Sequence, residues 1–181
     1  MISADNFLER AKQSQKDGRR DDTRRDLLEA VNLLRQEGRR EELAQALRTL
    51  GELERRTPNA ADARLHYAEA VDIYRELGQH LRLAHTVRHL GEVYVESGSP
   101  ELAEPCYVEA LALYRSHDDG APLDVANAIR ALAVLKTNKG ESEEARRLWQ
   151  EAHELYVRCN VSAGVAESMA RIAQSGKVPV E

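Results

Sequence analysis

The sequence predicts an all-α fold: an array of antiparallel helix pairs, about four pairs followed by a closing helix. Three observations predict it. The first is a repeat. Leu90-Gly91, Ala103, Tyr107, Ala110 and Tyr114 are matched 40 positions earlier by Leu50-Gly51, Ala63, Tyr67, Ala70 and Tyr74. The same set returns 42 positions later as Leu132-Ala133, Ala145, Trp149, Ala152 and Tyr156. Self-similarity at such a period marks stacked supersecondary units. The second is the period inside each unit: Leu43, Leu47, Leu50 and Gly51, then Tyr67, Ala70, Val71 and Tyr74, follow the 3.6-residue spacing of helices with one buried face. The third is punctuation. Gly18, Gly38, Gly78, Gly98 and Gly140 each follow a periodic run, where a left-handed C-terminal cap favours glycine.

Taken in order, the first pair, about residues 1–38, is degraded. Leu27, Ala30 and Leu34 keep its second helix, while Phe7 and Ala11 weakly echo its first. Three clear repeats follow at about 39–78, 79–118 and 121–159. In the second of these, Ser99-Pro100 supplies an N-cap and a proline at the first helical position, and Pro122 suits the same place in the third. Acid pairs Asp21-Asp22, Glu41-Glu42 and Glu143-Glu144 crowd helix starts, where the macrodipole favours them. Met169, Ile172 and Ala173 echo a first helix over 160–175 with no second helix after it, and 176–181 reads as a short tail. Residues 1–175 thus form a single array.

Composition narrows the function. A net charge of −5 argues against nucleic acid as partner, which calls for a basic face. No stretch reaches the roughly 18 apolar residues of a membrane span, and "MISADNFLER" lacks a signal peptide's apolar region. A cytoplasmic protein is expected. Cys106 and Cys159 lack metal-pair spacing and read as buried free thiols. All eight aromatic residues fall at framework positions, which leaves none to stack on bases.

The framework is similar to the tetratricopeptide repeat, whose signature is an aromatic, leucine and glycine, and tyrosine, followed in the second helix by alanine, an aromatic and alanine. Val87, Leu90, Gly91, Tyr94, Ala103, Tyr107 and Ala110 carry the resemblance in the middle repeat. It departs at Val87, Leu47 and Ile129, which replace the leading aromatic, and at Glu54 and Lys136, which stand where Tyr94 would recur. The period of 40 to 42 resembles the long-helix variants of kinesin light chain and of bacterial regulators. In place of the asparagines those variants carry in the groove, this chain has Thr49, His89 and Ala131. The resemblance implies a right-handed superhelical array, no cofactor, and a protein or peptide partner held in the concave groove lined by the first helices.

No phosphate loop or nucleophile elbow is present, so no enzyme is expected. His85 and His89, one turn apart with Glu92, have a metal-like spacing. Arg88 between them opposes a cation and supplies no general base, so no metal is expected there. Opposite the framework face, the first helices present Gln45, Arg48, Glu52 and Arg55, then His85, Arg88, Glu92 and Val95, then Asn127, Arg130, Val134 and Thr137. One column is arginine throughout: Arg48, Arg88, Arg130. Glu52 and Glu92 stand four residues after the first two, a pairing that repeat duplication would copy without any ligand. Arg130 has Val134 there instead. It is expected to be unpaired beside Asn127 and ready to take a carboxylate through two parallel hydrogen bonds. The expected function is a non-catalytic scaffold that binds a short acidic or carboxylate-bearing segment. The alternative is homo-oligomeric self-association with the groove incidental. Three substitution effects are also expected. The helix of Gly91 is expected to approach its partner at Ala103 and Ala110, where Gly91→Leu would overpack and collapse folding, while Gly91→Ala can gain about 1 kcal/mol of helix propensity. Alanine at any of the three arginines should leave folding undisturbed.

Overall fold

The computed structural model of the protein describes residues 3–55, 57, 60–116 and 121–175. The stretch 176–181, expected to be a tail, lies outside the described residues. Among those residues there are nine helices: α1 (Ala4–Lys16), α2 (Arg20–Glu37), α3 (Arg40–Arg55), α4 (Ala60–Glu76), α5 (His80–Glu96), α6 (Pro100–Ser116), α7 (Pro122–Asn138), α8 (Ser142–Arg158) and α9 (Ser162–Ser175). Each packs on the next in the chain. The degraded opening repeat is nonetheless a full helix pair, α1 with α2. Its N-terminus is closed by a capping box in which the Ser3 hydroxyl accepts from the Asn6 amide and the Asn6 side chain accepts from the Ser3 amide.

The turns follow from their glycines. All five that end periodic runs take φ between +64° and +79°, a region closed to most side chains. At Gly38 this lets the amide bond back to the Leu34 and Arg35 carbonyls and stop α2. α6 begins at Pro100, α7 begins at Pro122, and α6 runs on unbroken through Pro105.

The core is the framework set. Tyr67, Tyr74, Tyr107, Tyr114, Trp149 and Tyr156 are all buried, as are the alanines that flank them, while Phe7 and Tyr94 are half-buried. The small residues of the first helices meet the rings of the second directly. A Cβ placed on Gly51 would lie 2.8 Å from the Tyr67 ring, and one on Gly91 would lie 2.6 Å from the Tyr107 ring. The close approach of α5 is therefore to Tyr107, not to Ala103 and Ala110. No methyl group fits at Gly91, so the expected gain from Gly91→Ala fails on sterics. The third repeat solves the same contact differently, with Ala133 clustered against Trp149 and Ala145.

Two framework positions hold charge instead of tyrosine. Glu54 is buried, its carboxylate held between Arg24 Nε on α2 at 2.7 Å and His66 Nδ1 on α4 at 2.7 Å. Lys136 is buried among Glu104, Glu141 and Glu144 at 2.6, 2.7 and 3.1 Å. Hydrogen bonds to Glu104 and Glu141 push its pKa upward, so it stays charged. A buried ion persists only when paired in this way. Both pairings tie neighbouring helices together.

The two faces of the array differ. Second helices are bridged by a ladder of ion pairs in repeat register: Arg35 to Glu69 at 2.8 Å, Arg75 to Glu109 at 2.9 Å, and Arg115 to Glu151. On the other face α3 touches α5 and α5 touches α7, each passing over the second helix between them. Direct contact between alternate helices puts α3, α5 and α7 on the inside of the curvature. They line the groove.

Candidate functional site in the concave groove

Five first helices, α1, α3, α5, α7 and α9, leave four gaps along the groove, and the side chains that face them were expected to form one arginine column. The three arginines turn out to have three different environments.

Arg88 behaves as expected. Its guanidinium contacts Glu92 one turn on and lies 3.2 Å from His89 Nε2. Glu92 is shared more widely: His89 Nδ1 lies 3.1 Å from it, and Arg55 reaches across from α3 at 2.8 Å. Burial pushes the Glu92 carboxyl upward, but His89, Arg88 and Arg55 together outweigh it and hold its pKa below the usual carboxylate value. This end of α5 is neutralised from within.

Arg130 does not stand unpaired. Its Nε and one terminal nitrogen clasp both oxygens of Glu167 on α9, at 2.5 and 2.9 Å. The two parallel hydrogen bonds expected for a partner's carboxylate are made inside the chain. Asn127 is also engaged, since its Oδ1 accepts from the Tyr156 hydroxyl at 2.9 Å. One feature of the sequence carries this. Glu167 lies 40 residues after Asn127 and continues the column of Gln45, His85 and Asn127 into the closing helix. An arginine thus faces the next repeat's member of that column. The expectation that Arg130→Ala leaves folding untouched falls with it.

Arg48 is the arginine left open. The expected pair with Glu52 does not form: Glu52 accepts from the Tyr67 hydroxyl at 3.1 Å and lies 3.9 Å from Arg55. Among the described residues no carboxylate lies within ion-pair distance of Arg48. The next repeat offers it His85 where Arg130 meets Glu167. Arg48 lies beside the Tyr74 hydroxyl and, with Gln45, Arg82, His85 and His89, lines a pocket of about 330 Å³ between α3 and α5. Arg82 at the rim is bonded to Glu41. No carboxylate lines this pocket.

The histidines complete the wall. His85 Nδ1 lies 2.8 Å from the Tyr114 hydroxyl and its Nε2 lies 3.8 Å from Asp124. Burial lowers its pKa, opposed by Asp124 and assisted by Arg88, His89 and Arg48, so the ring is neutral at pH 7. His85 turns toward Tyr114 while His89 turns toward Glu92. Among the described residues no three of histidine, cysteine, aspartate and glutamate converge as a metal site would require. Cys106 and Cys159 are half-buried, less enclosed than expected. Burial, with help from Glu109, raises the Cys106 pKa to about 11.

Residues 54–116 match the family described as tetratricopeptide repeat. That stretch runs from the end of α3 to the end of α6, and it carries the tetratricopeptide signature. No curated protein matches it in sequence. Among solved structures, this array is similar to BtubC (BKLC) from P. vanneervenii, with a TM-score of 0.80 and 19% identity over 87% of this chain and 65% of that one. It is similar to MamA, with a TM-score of 0.71 and 18% identity over 88% of this chain and 81% of MamA. The apo form of RapI superposes with a TM-score of 0.83 and 10% identity, over 94% of this chain and 47% of RapI. The chain spans less than two-thirds of BtubC and under half of RapI. Identities this low speak for the fold. Among the described residues no helix of the array is long and apolar enough to cross a membrane.

Proposed function

We propose that the array is a non-catalytic scaffold for protein–protein interaction, and that its groove holds a short acidic or carboxylate-bearing segment of a partner. The anchor is Arg48, assisted by Gln45, with His85 and His89 as walls. Arg88, Glu92 and Glu52 keep the rest of the groove internally balanced. One observation carries the reading: Arg130, in the same column, is clasped by a carboxylate in a two-point fork. Arg48 has the same place in its repeat, a pocket in front of it and His85 where that carboxylate would be. A planar guanidinium that is charged and lacks a carboxylate favours an incoming one.

The test is a fluorescence anisotropy titration of the full chain with labelled acidic peptides and with their Gln and Asn isosteres. The proposal expects the acidic set to bind more tightly and to weaken as salt screens the exposed charge. Equal binding of acid and amide peptides would sink it.

The exposed face of α9 favours a second reading. Met169 is 58% exposed, whereas Ile129 at the same framework position in α7 is fully buried. In that reading, copies of the chain pair through α9. Light scattering over a concentration series tests it: a rise in mass that Met169→Glu abolishes would support pairing, and a constant monomer mass would dismiss it.

A further inference from the structure

We propose that the groove recognises two features of the bound segment: an apolar side chain seated between α1 and α3, and, about three residues along, the carboxylate held at Arg48. This rests on the proposal that an acidic segment occupies the groove, and adds which neighbour the acid must have and where it lies.

The arginine column does not begin with arginine. Counting back 40 positions from Arg48 gives Leu8, so the repeat places leucine at the head of the series Leu8, Arg48, Arg88, Arg130. The gap that Leu8 faces is open, with a volume of about 370 Å³. Its floor is apolar and fixed: Ala11 on α1, Leu27 on α2 and Ala46 on α3 are buried at 2%, 4% and 3% exposure. The charged side chains at its edge are already engaged, Glu9 with Lys12 at 3.6 Å and Glu42 with Arg39. A cavity with an apolar floor and balanced rim favours an apolar group and gives nothing to a carboxylate.

This gap is continuous with the next. Gln45 borders both, so one extended chain can cross from one to the other. Packed helices lie roughly 10 Å apart, and an extended chain rises about 3.3 Å per residue. Neighbouring gaps are therefore about three residues apart along the segment. The third gap adds no anchor, because Arg55, Glu92, Glu96 and Arg130 beside it are all paired within the chain. The groove is thus apolar at its α1 end, cationic in the middle and neutralised beyond. That order gives the segment a fixed placement along the array.

The experiment uses the full chain and labelled Gly-Ser peptides carrying one leucine and one glutamate at varied separation, in both orders. Affinity should peak at a separation of about three residues in one order. There it should exceed the same peptide with serine for leucine by about tenfold, as expected for burying one apolar side chain. Leu8→Arg should abolish the benefit of the leucine and favour a second glutamate in its place, with the first glutamate still dependent on Arg48. If Leu8→Arg does not fold, Leu8→Ala enlarges the same gap and should shift the preference from leucine to phenylalanine. A leucine that makes no difference at any separation, while glutamate still requires Arg48, would overturn this inference and leave the acidic groove standing. Loss of the glutamate requirement as well would overturn both.

Discussion

Replacing Gly91 with alanine adds one methyl group to α5, and the surroundings of that group set the outcome. The new Cβ would lie 2.6 Å from Cε1 and 2.9 Å from Cδ1 of Tyr107, and 3.2 Å from Cβ of Cys106. Carbon atoms in ordinary contact are about 3.5–4.0 Å apart, so the ring must retreat by roughly 1 Å. Tyr107 is 3% exposed and packs on Ala103, Leu132 and Leu135, which leaves it nowhere to go without moving α7. Overpacking of this kind costs about 1–3 kcal/mol. Alanine returns roughly 0.5–1 kcal/mol through helix propensity. The net is a loss of about 1–2 kcal/mol, and at about 2–4 °C per kcal/mol the melting temperature should fall by about 2–8 °C. Thermal unfolding followed by circular dichroism reads this directly. In a Tyr107→Leu background the ring is gone, and the same substitution should become neutral or stabilising. A Gly91→Ala variant at least as stable as the parent, with Tyr107 in place, would refute the glycine-on-ring packing described for Gly51 and Gly91.

Other consequences are as direct. Arg130→Ala and Glu167→Gln should each destabilise the chain by about 0.5–1 kcal/mol, a modest figure because both side chains are partly solvated, and the double variant should be no worse than either one; additive losses in thermal melts would show that the fork contributes nothing as a pair. His85 has a folded-state pKa below 6.5, the result of burial and of Arg88, His89 and Arg48, with Asp124 on α7 opposing and Tyr114 on α6 bonded to Nδ1. Its stabilising contribution is complete above pH 6.5 and is lost as pH falls from there toward the folded-state pKa, because the unfolded chain then binds the proton more readily. His85→Gln should flatten that part of the denaturation profile, and an unchanged slope would count against it. With its pKa near 11, the Cys106 thiol is almost wholly protonated at pH 8, so iodoacetamide should modify it on the order of a hundredfold more slowly than an ordinary exposed thiol. Equal rates in mass spectrometry would contradict the burial.

The helices were legible because three chemical signals agreed: the 3.6-residue period, glycine after each run, and recurrence of the framework at 40 to 42 residues. What touches what across a pair was less so. Gly91, Ala103 and Tyr107 are all small-or-aromatic positions of one hairpin, and spacing does not say that the glycine faces the ring until two helix surfaces are set against each other. The groove was half legible. Arg48, Arg88 and Arg130 form a visible column in the first helices, and the acids visible beside them are those four residues on along the same helix, which leaves Arg130 without one. The deciding partner, Glu167, comes from the neighbouring first helix, and the repeat register of Asn127 would have found it. The same register, extended back, gives Leu8. Glu54 and Lys136 looked like lapses in the signature. Their partners lie on neighbouring helices: Arg24 and Glu104 stand 80 residues apart at the same place in a second helix, so the two ion pairs are one contact with its charges exchanged, and residue type alone hides the recurrence.

The central claim is that the groove anchors an acid at Arg48 and that Arg130 is already occupied. It is tested most directly by measuring the affinity of one glutamate-bearing peptide for the parent, for Arg48→Ala and for Arg130→Ala under the same low-salt conditions. Charge-assisted hydrogen bonds contribute about 1.5–3 kcal/mol, so Arg48→Ala should weaken binding by roughly 10- to 150-fold. Lysine at position 48 should restore only part of the loss, since it keeps the charge and not the fork. Arg130→Ala should bind within about twofold of the parent, an estimate that follows from its fork being filled by Glu167. A loss at Arg130 as large as that at Arg48, or no loss at Arg48, would contradict the account.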